Sequence, residues 1–207
     1  TLDGTLFPYT TLFRSAMEGN IGTTIAAAVV HQDGLYWFSA GDSRIYLFRD
    51  GELSQITVDH TFALTLGNDV AEGRLSPENA ARHPERSYLI SFLGLRSIDM
   101  TDFNSKPFLL RKNDRILLCS DGLYGTISER EIMEEMLCAP DVAAERLVEK
   151  ALGKGKRNQD NITVLVMDYS PAAERTKTKY EDIDAGNAFI NKLHINQLKK
   201  NSMEIFF

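Results

Sequence analysis

Two Asp-Gly pairs close together in the chain constrain its fold more than any other feature. Asp33-Gly34 and Asp50-Gly51 each lie between runs of aliphatic, aromatic and β-branched residues, which is the pattern of a tight β-hairpin turn. Parallel strands need a crossover of a dozen or more residues, so turns at this spacing permit only antiparallel pairing. The sequence therefore predicts an antiparallel meander with strands at 23–30, 35–38, 45–48 and 53–58.

The meander and the second half of the chain together predict an α+β domain. The apolar runs are too continuous for a sheet with one wet face, so we expect a sheet covered on both sides. Apolar strands are predicted at 115–120 and 162–167, and a short helix at 78–82. Ser128 and Glu131 form a capping-box pattern ahead of an amphipathic helix. A further helix is predicted at 142–152, with Asp141 as its N-cap and Gly153 just after its end.

Composition excludes several classes of protein. The 207 residues carry a formal net charge of -6, whereas a non-specific nucleic-acid binder would present a basic patch. Two cysteines, Cys119 and Cys138, are too few for a disulfide scaffold or a cysteine-rich zinc site. No apolar run approaches the roughly 18 residues of a membrane span. We therefore expect a cytoplasmic enzyme-sized domain that binds neither nucleic acid nor membrane.

The chain divides into three zones of different character. Residues 1–15 lack a clear period and cluster threonine around Pro8, so they are interpreted as a non-native or disordered leader without function. Residues 16–169 are dense in strand and helix signals and form the predicted domain. Residues 170–207 open with Ser170-Pro171, become rich in Lys and Asn, and are expected to be a polar extension.

Three aspartates share one position relative to the predicted strands. Asp121 directly follows a buried apolar strand, Asp160 precedes another, and Asp42 lies between two more. Side chains at strand ends are held by a rigid element, and carboxylates are the ligands that Mg²⁺ and Mn²⁺ prefer. The same residues are also common in turns. The sequence leaves both interpretations open, although three such aspartates favour a metal site.

In order along the chain, these residues form part of a longer series of motifs: Gly22-Thr23-Thr24, Gly41-Asp42-Ser43-Arg44, Ile56-Thr57-x-Asp59-His60-Thr61, Leu93-Gly94, Ser120-Asp121-Gly122-Leu123 and Asp160-Asn161. The series resembles the later motifs of the bacterial metal-dependent PPM/PP2C-type protein serine/threonine phosphatases. The resemblance covers roughly residues 16–169 and implies an α/β/β/α four-layer sandwich, in which two mainly antiparallel sheets are flanked by helices.

The resemblance also implies a site and a reaction. Asp121 and Asp160 match ligands of a binuclear Mn²⁺ or Mg²⁺ centre, and Asp42 with Asp121 matches the site of a third ion. Ser87 matches a residue near that third ion, in a flap at about residues 60–86. A metal-activated water would hydrolyse phosphoserine or phosphothreonine. The expected partners are phosphoproteins, Ser/Thr kinases or the substrates of such kinases, and the chain is expected to be a monomer.

One part of the family pattern is missing. Family members carry a DGxGG motif upstream of the Gly-Thr-Thr segment, and its aspartate bridges the two catalytic metals. The Asp-Gly pair before Gly22 is Asp3-Gly4, and Thr5-Leu6 follows it where glycines are expected. We therefore expect an N-terminally truncated phosphatase domain that lacks this ligand. The alternative is a catalytically inactive, phosphatase-like binding module.

Overall fold

The computed structural model of the chain describes residues 22–31 and 33–171, and the backbone of residues 194–196. These ranges contain the strands β1 (Ile25–His31), β2 (Gly34–Ala40), β3 (Arg44–Arg49), β4 (Glu52–Gln55), β5 (Asp102–Phe103), β6 (Phe108–Leu109), β7 (Arg115–Cys119), β8 (Ile162–Asp168) and β9 (His194–Asn196). They also contain the helices α1 (Phe62–Ala71), α2 (Pro77–Ala81), α3 (Asp121–Tyr124), α4 (Glu129–Glu135) and α5 (Pro140–Gly153). The predicted leader at 1–15, and the extension apart from 170–171 and 194–196, lie outside the described residues.

The two predicted hairpins are confirmed, but they belong to different sheets. Strands β1 and β2 pair through the turn at Asp33, and β3 and β4 pair through the turn at Asp50 and Gly51. The three turn residues have positive φ angles of 63°, 54° and 84°, as tight hairpin turns require. The prediction of one continuous meander is wrong, because β2 joins β5 and β6 in a first sheet and β3 joins β7 in a second. The chain crosses between the sheets at residues 41–43.

The second sheet, in the order β4-β3-β7-β8-β9, has an apolar core on each face. Alternate side chains of a strand point to opposite faces, so β3 and β7 contribute to both cores. The side chains that pack against α4 and α5 are Tyr46, Phe48, Leu117 and Cys119. Those that pack against the first sheet are Ile45, Leu47, Ile116 and Leu118. This sheet is covered on both sides, as the continuous apolar runs predict.

The first sheet is apolar on both faces as well, but the described residues leave its outer face open. Large apolar side chains on β1, β2, β5 and β6 are exposed, by 61% for Val29, 36% for Phe38, 61% for Phe103 and 68% for Leu109. In the described ranges, the helices that pack on a sheet are α3, α4 and α5, and all three contact the second sheet. The described residues therefore supply three of the four layers that the family resemblance implies.

The ends of the later helices differ in part from the sequence prediction. The capping box at α4 is confirmed, because the Ser128 hydroxyl accepts from the Glu131 amide and the Glu131 carboxylate accepts from the Ser128 amide. Asp141 is not the N-cap of α5, which begins at Pro140 with Ala139 before it. Proline has the φ of a first helical residue already, so it moves the start upstream. The left-handed position after this helix is taken by Gly155, with φ 61°, rather than by Gly153.

The predicted flap region holds two helices between His60 and Ile90. The sequence pattern does not predict helix α1, whereas α2 overlaps the predicted helix at 78–82 and begins with Ser76 as its cap and a proline in its first turn. Backbone hydrogen bonds from Phe62 to Tyr88, at 2.8 Å, and from Ile90 to His60, at 3.0 Å, join the two ends of the region to each other. No helix within residues 22–31 and 33–171 combines the length and the apolar character needed to cross a membrane.

Candidate metal centre

Asp42 lies in the loop that crosses between the sheets, and its neighbours hold that loop tightly. Gly41 has φ 117°, and a Cβ there would lie 2.4 Å from the Thr24 side chain, so only glycine fits. The Gly41 amide donates to Nδ1 of His60 at 3.1 Å, and the His60 amide donates to the Gly41 carbonyl at 2.9 Å. Burial lowers the pKa of His60, which keeps Nδ1 free to accept. The loop therefore presents Asp42 from a fixed backbone.

Asp121 and Asp160 lie on two segments that are fastened together. Asp121 is the first residue of α3, directly after β7, and Asp160 precedes β8. The hydroxyl of Ser120 donates to the Asn161 carbonyl at 3.0 Å and accepts from the Thr163 amide at 3.1 Å. A Cβ on Gly122 would lie 2.2 Å from the Asn161 carbonyl oxygen. Asp121 and Asp160 thus lie at the same end of the paired strands β7 and β8.

Burial and neighbouring carboxylates raise the pKa of Asp42 and of Asp121. Burial, followed by the charges of Asp121 and Asp59, raises the pKa of Asp42 to about 6. Burial, followed by the charge of Asp160, raises the pKa of Asp121. The Oδ1 atom of Asp121 is buried and finds no hydrogen-bond partner among the described residues. Asp121 is therefore a carboxylate between two others, with an acceptor oxygen that nothing in the described part of the chain satisfies.

This arrangement fits a divalent cation in its chemistry and is incomplete as a ligand set. A cation would satisfy the unpartnered Asp121 oxygen and offset both the burial of the two charges and the repulsion between carboxylates, which together raise the pKa values of Asp42 and Asp121. However, no three His, Cys, Asp or Glu side chains among the described residues form a group that could hold a metal ion. The structure thus provides two carboxylate pairs that share Asp121, which are Asp42 with Asp121 and Asp121 with Asp160.

Ser87 lies in the flap region. It is exposed in the turn between α2 and the isolated bridge that joins Thr61 to Leu89. The neighbouring Arg86 carbonyl accepts from the amide of Ala63 at 2.8 Å, which fixes the turn against α1. None of the contacts described for the three aspartates involves Ser87, so its role near a third ion stays a prediction.

Arg44, Asp59 and Tyr124 form a network beside Asp42 that the sequence pattern does not indicate. The Arg44 guanidinium donates to the Asp59 carboxylate at 2.6 Å and to the Tyr46 hydroxyl at 2.8 Å. Its central carbon lies 3.5 Å from the centre of the Tyr124 ring. The Tyr124 hydroxyl donates to the Asp42 carbonyl at 2.8 Å. Arg44 and Asp59 stand in the motif series, but nothing in their spacing indicates a contact with Tyr124.

The metal-free protein should lose stability as the pH rises from about 4 to about 6. The pKa of Asp42 in the folded protein, about 6, lies above its ordinary value of 3.8. The resulting stabilisation is complete below the ordinary value and is lost as the pH rises through the folded-state pKa. Urea unfolding in EDTA at about pH 4.5 and about pH 6.5 measures the difference. Asp42→Asn should reduce it, and an equal pH dependence in parent and variant would contradict this assignment.

Comparisons with known proteins agree with this fold. A family model described as Protein phosphatase 2C matches residues 9–66. The serine/threonine protein phosphatase PstP of Mycobacterium tuberculosis is 45% identical over 154 residues, which are 73% of this chain and 28% of PstP. The serine/threonine phosphatase stp of Listeria monocytogenes is 36% identical over 158 residues, which are 74% of this chain and 60% of that protein. The chain thus spans less than two thirds of either relative.

Solved structures of bacterial phosphatases also match this chain. The crystal structure of the M. tuberculosis phosphatase PstP/Ppp matches with a TM-score of 0.61 and 40% identity, covering 77% of this chain and 65% of that chain. The catalytic domain of PstP in complex with two manganese ions matches with a TM-score of 0.57 and 38% identity, covering 77% and 64% respectively.

The two packed antiparallel sheets, with helices on the second sheet, form a fold of the PP2C type. The solved phosphatases share this fold over the matched region. By family, the chain is related to the bacterial PPM-type serine/threonine protein phosphatases, and the resemblance drawn from its motifs is confirmed.

Proposed function

We propose that this chain carries part of the active site of a metal-dependent phosphatase that hydrolyses phosphoserine and phosphothreonine in proteins. The observation that carries the proposal is the buried Asp121 carboxylate, whose Oδ1 has no partner in the described structure. Asp121 and Asp160 would hold one Mn²⁺ or Mg²⁺ of a binuclear centre. Asp42 with Asp121 would hold a further ion, with Ser87 of the flap beside it. The PstP catalytic domain in complex with two manganese ions supports Mn²⁺ as the first ion to test.

In such a site, the residues of the chain would hold the metal ions and would not themselves attack the phosphate. When bound, divalent ions lower the pKa of a water molecule and neutralise the charge of the phosphate oxygens. Asp42, Asp121 and Asp160 would supply the negative charge that keeps these ions in place. Cys119 is buried in the core and lies outside the proposed chemistry. In this proposal no side chain acts as nucleophile.

The names of the relatives support the class of partner. PstP and stp are serine/threonine phosphatases, so the substrates proposed here are proteins phosphorylated by Ser/Thr kinases. We further propose that the chain acts as a monomer in the cytoplasm. Its net charge of -6 argues against nucleic acid as a partner.

A second candidate is a catalytically inactive, phosphatase-like binding module. It is favoured by the finding that the described residues hold carboxylates in pairs but form no three-residue metal group. The two candidates differ in one measurable property, because both permit metal binding but only the first permits phosphate release.

Removal of metal should therefore abolish a hydrolytic activity of this chain. With Mn²⁺, the chain should release phosphate from a phosphothreonine peptide; EDTA should stop the release and added Mn²⁺ should restore it. A phosphotyrosine peptide of the same sequence serves as the control for substrate class and should not be hydrolysed. Hydrolysis that survives EDTA would contradict the metal-dependent mechanism. Mn²⁺ binding without any phosphate release would identify the inactive module.

A further inference from the structure

Tyr124 connects the two elements that carry Asp42 and Asp121. Its hydroxyl donates to the Asp42 carbonyl at 2.8 Å, and it lies three residues after Asp121 in the single turn of α3. Residues three apart in a helix lie on the same side, so the Tyr124 side chain moves together with Asp121. This hydrogen bond therefore sets the position of the crossing loop against the helix.

Arg44 supports Tyr124 from the other side of the ring. Its guanidinium carbon lies 3.5 Å from the ring centre, and its nitrogens donate to Asp59 and to the Tyr46 hydroxyl. The Arg44 side chain is only 19% exposed. A guanidinium with a bidentate carboxylate partner and a stacked ring has little freedom to move. Arg44 is thus a fixed surface against which the Tyr124 ring rests.

Asp59 has a separate effect on the charge balance. Asp59 forms the ion pair with Arg44 that Asp42 could otherwise form. Within the described ranges, Asp42 forms no salt bridge, although Arg44 is only two residues away. The Asp42 carboxylate consequently remains available to a cation, while its loop is held by uncharged contacts from Tyr124 and His60.

We propose that Tyr124, supported by Arg44, is a positioning residue that holds the Asp42 carboxylate against Asp121 for a divalent cation. The inference rests on the metal site of the proposed function and adds residues that are not themselves ligands. It differs from a purely structural role, because the Tyr124 hydroxyl contributes to the geometry of the carboxylate pair and little to the packing of the ring.

Two matched variants test the proposal. Tyr124→Phe removes the hydroxyl that reaches Asp42 and keeps the ring that stacks on Arg44. Tyr46→Phe removes the other hydroxyl beside Arg44, which does not contact Asp42. Binding of Mn²⁺ alone to the full chain is followed by the loss of the EPR signal of free Mn²⁺. We expect affinity to fall about three- to tenfold in Tyr124→Phe, as for the loss of one hydrogen bond, and to change less than about twofold in Tyr46→Phe.

The melting temperature of the metal-free protein separates positioning from folding. Tyr124→Phe should melt close to the parent while binding Mn²⁺ more weakly. Should it fail to fold, Arg44→Lys provides the second variant, since it keeps the charge but loses the bidentate pair and the stack, and it should also weaken Mn²⁺ binding. Unchanged Mn²⁺ affinity in Tyr124→Phe, or an equal loss in Tyr46→Phe, would overturn the proposal.

The proposed function and this inference can fail separately. Phosphate release by the parent, with Mn²⁺ affinity unchanged in Tyr124→Phe, would leave the function standing and overturn the positioning role. Mn²⁺ binding without phosphate release, weakened in Tyr124→Phe, would support the positioning role and remove the catalytic one. A parent chain that binds no Mn²⁺ would overturn both.

Discussion

Asp121→Asn should abolish the Mn²⁺-dependent hydrolysis proposed for this chain and raise the melting temperature of the metal-free protein. Burial and the charge of Asp160 raise the pKa of Asp121, which means that the folded state holds this charge unfavourably. Asparagine has nearly the same shape without the charge. As a proposed direct ligand, Asp121 should cost more activity when lost than the roughly 10- to 100-fold lost with an outer partner. Phosphate release and thermal melting in EDTA measure the two effects.

Asp168→Asn is the matched control for Asp121→Asn. Burial raises the pKa of Asp168 too, but Asp168 lies at the other end of β8 and pairs with Arg115 at 2.6 Å. Its replacement should leave the Mn²⁺ response intact. Full hydrolysis by Asp121→Asn, or a metal-free form less stable than the parent, would refute the role assigned to Asp121.

Gly122→Ala should destabilise the domain by about 3 kcal/mol, the upper end of the usual range for overpacking. The added Cβ would lie 2.2 Å from the carbonyl oxygen of Asn161 and 3.3 Å from that of Asp160. These are backbone atoms, which cannot rotate away as the end of a side chain can. The substitution should separate α3 from the segment before β8, and chemical denaturation gives the change in the free energy of unfolding.

Gly67→Ala is the control for the glycine substitution. Gly67 lies inside α1, and a Cβ there would meet nothing within 4 Å. Alanine loses less backbone entropy than glycine in a helix, so this variant should be more stable by about 0.5–1 kcal/mol. If Gly122→Ala were as stable as the parent, the close packing of Asn161 on Gly122 would be wrong.

The strands could be predicted from the sequence because their signals are local. Asp33-Gly34 and Asp50-Gly51 define turns without any knowledge of the fold. What the sequence could not show is that β2 and β3 belong to different sheets. The short loop at Gly41 permits either a hairpin or a crossing, and the choice depends on the contacts with Thr24 and His60. Those contacts come from distant parts of the chain.

The helices, like the strands, could be predicted only where their sequence signals are local. The capping box at Ser128 is a local signal and was correctly predicted. Helix α1 was missed, because its sequence contains Thr, Gly and Asn and its N-cap, Thr61, makes no side-chain capping bond. Tertiary contacts stabilise it instead, through hydrogen bonds from Phe62 and Ala63 to the turn before Ile90. The two-residue strands β5 and β6 are too short for any periodic signal.

The candidate site could also be predicted only in part. The positions of Asp42, Asp121 and Asp160 at strand ends could be predicted, because each follows or precedes a recognisable strand. Their coupling through Tyr124 and Arg44 could not, because a hydrogen bond to a backbone carbonyl and a stacked ring leave no mark on sequence spacing. The metal itself, and the role of Ser87, remain proposals.

The pairing of β3 with β7 has a consequence for the order of folding. The β1–β2 and β3–β4 hairpins close through short turns, whereas Arg44 and Cys119 meet only after the whole flap region has been looped out. Closing a long loop costs entropy before its contacts form, so such pairings slow folding. Asp42 precedes β3 and Asp121 follows β7, so the carboxylate pair assembles at this late step. The time at which Mn²⁺ binding appears during refolding would therefore report when β7 pairs with β3.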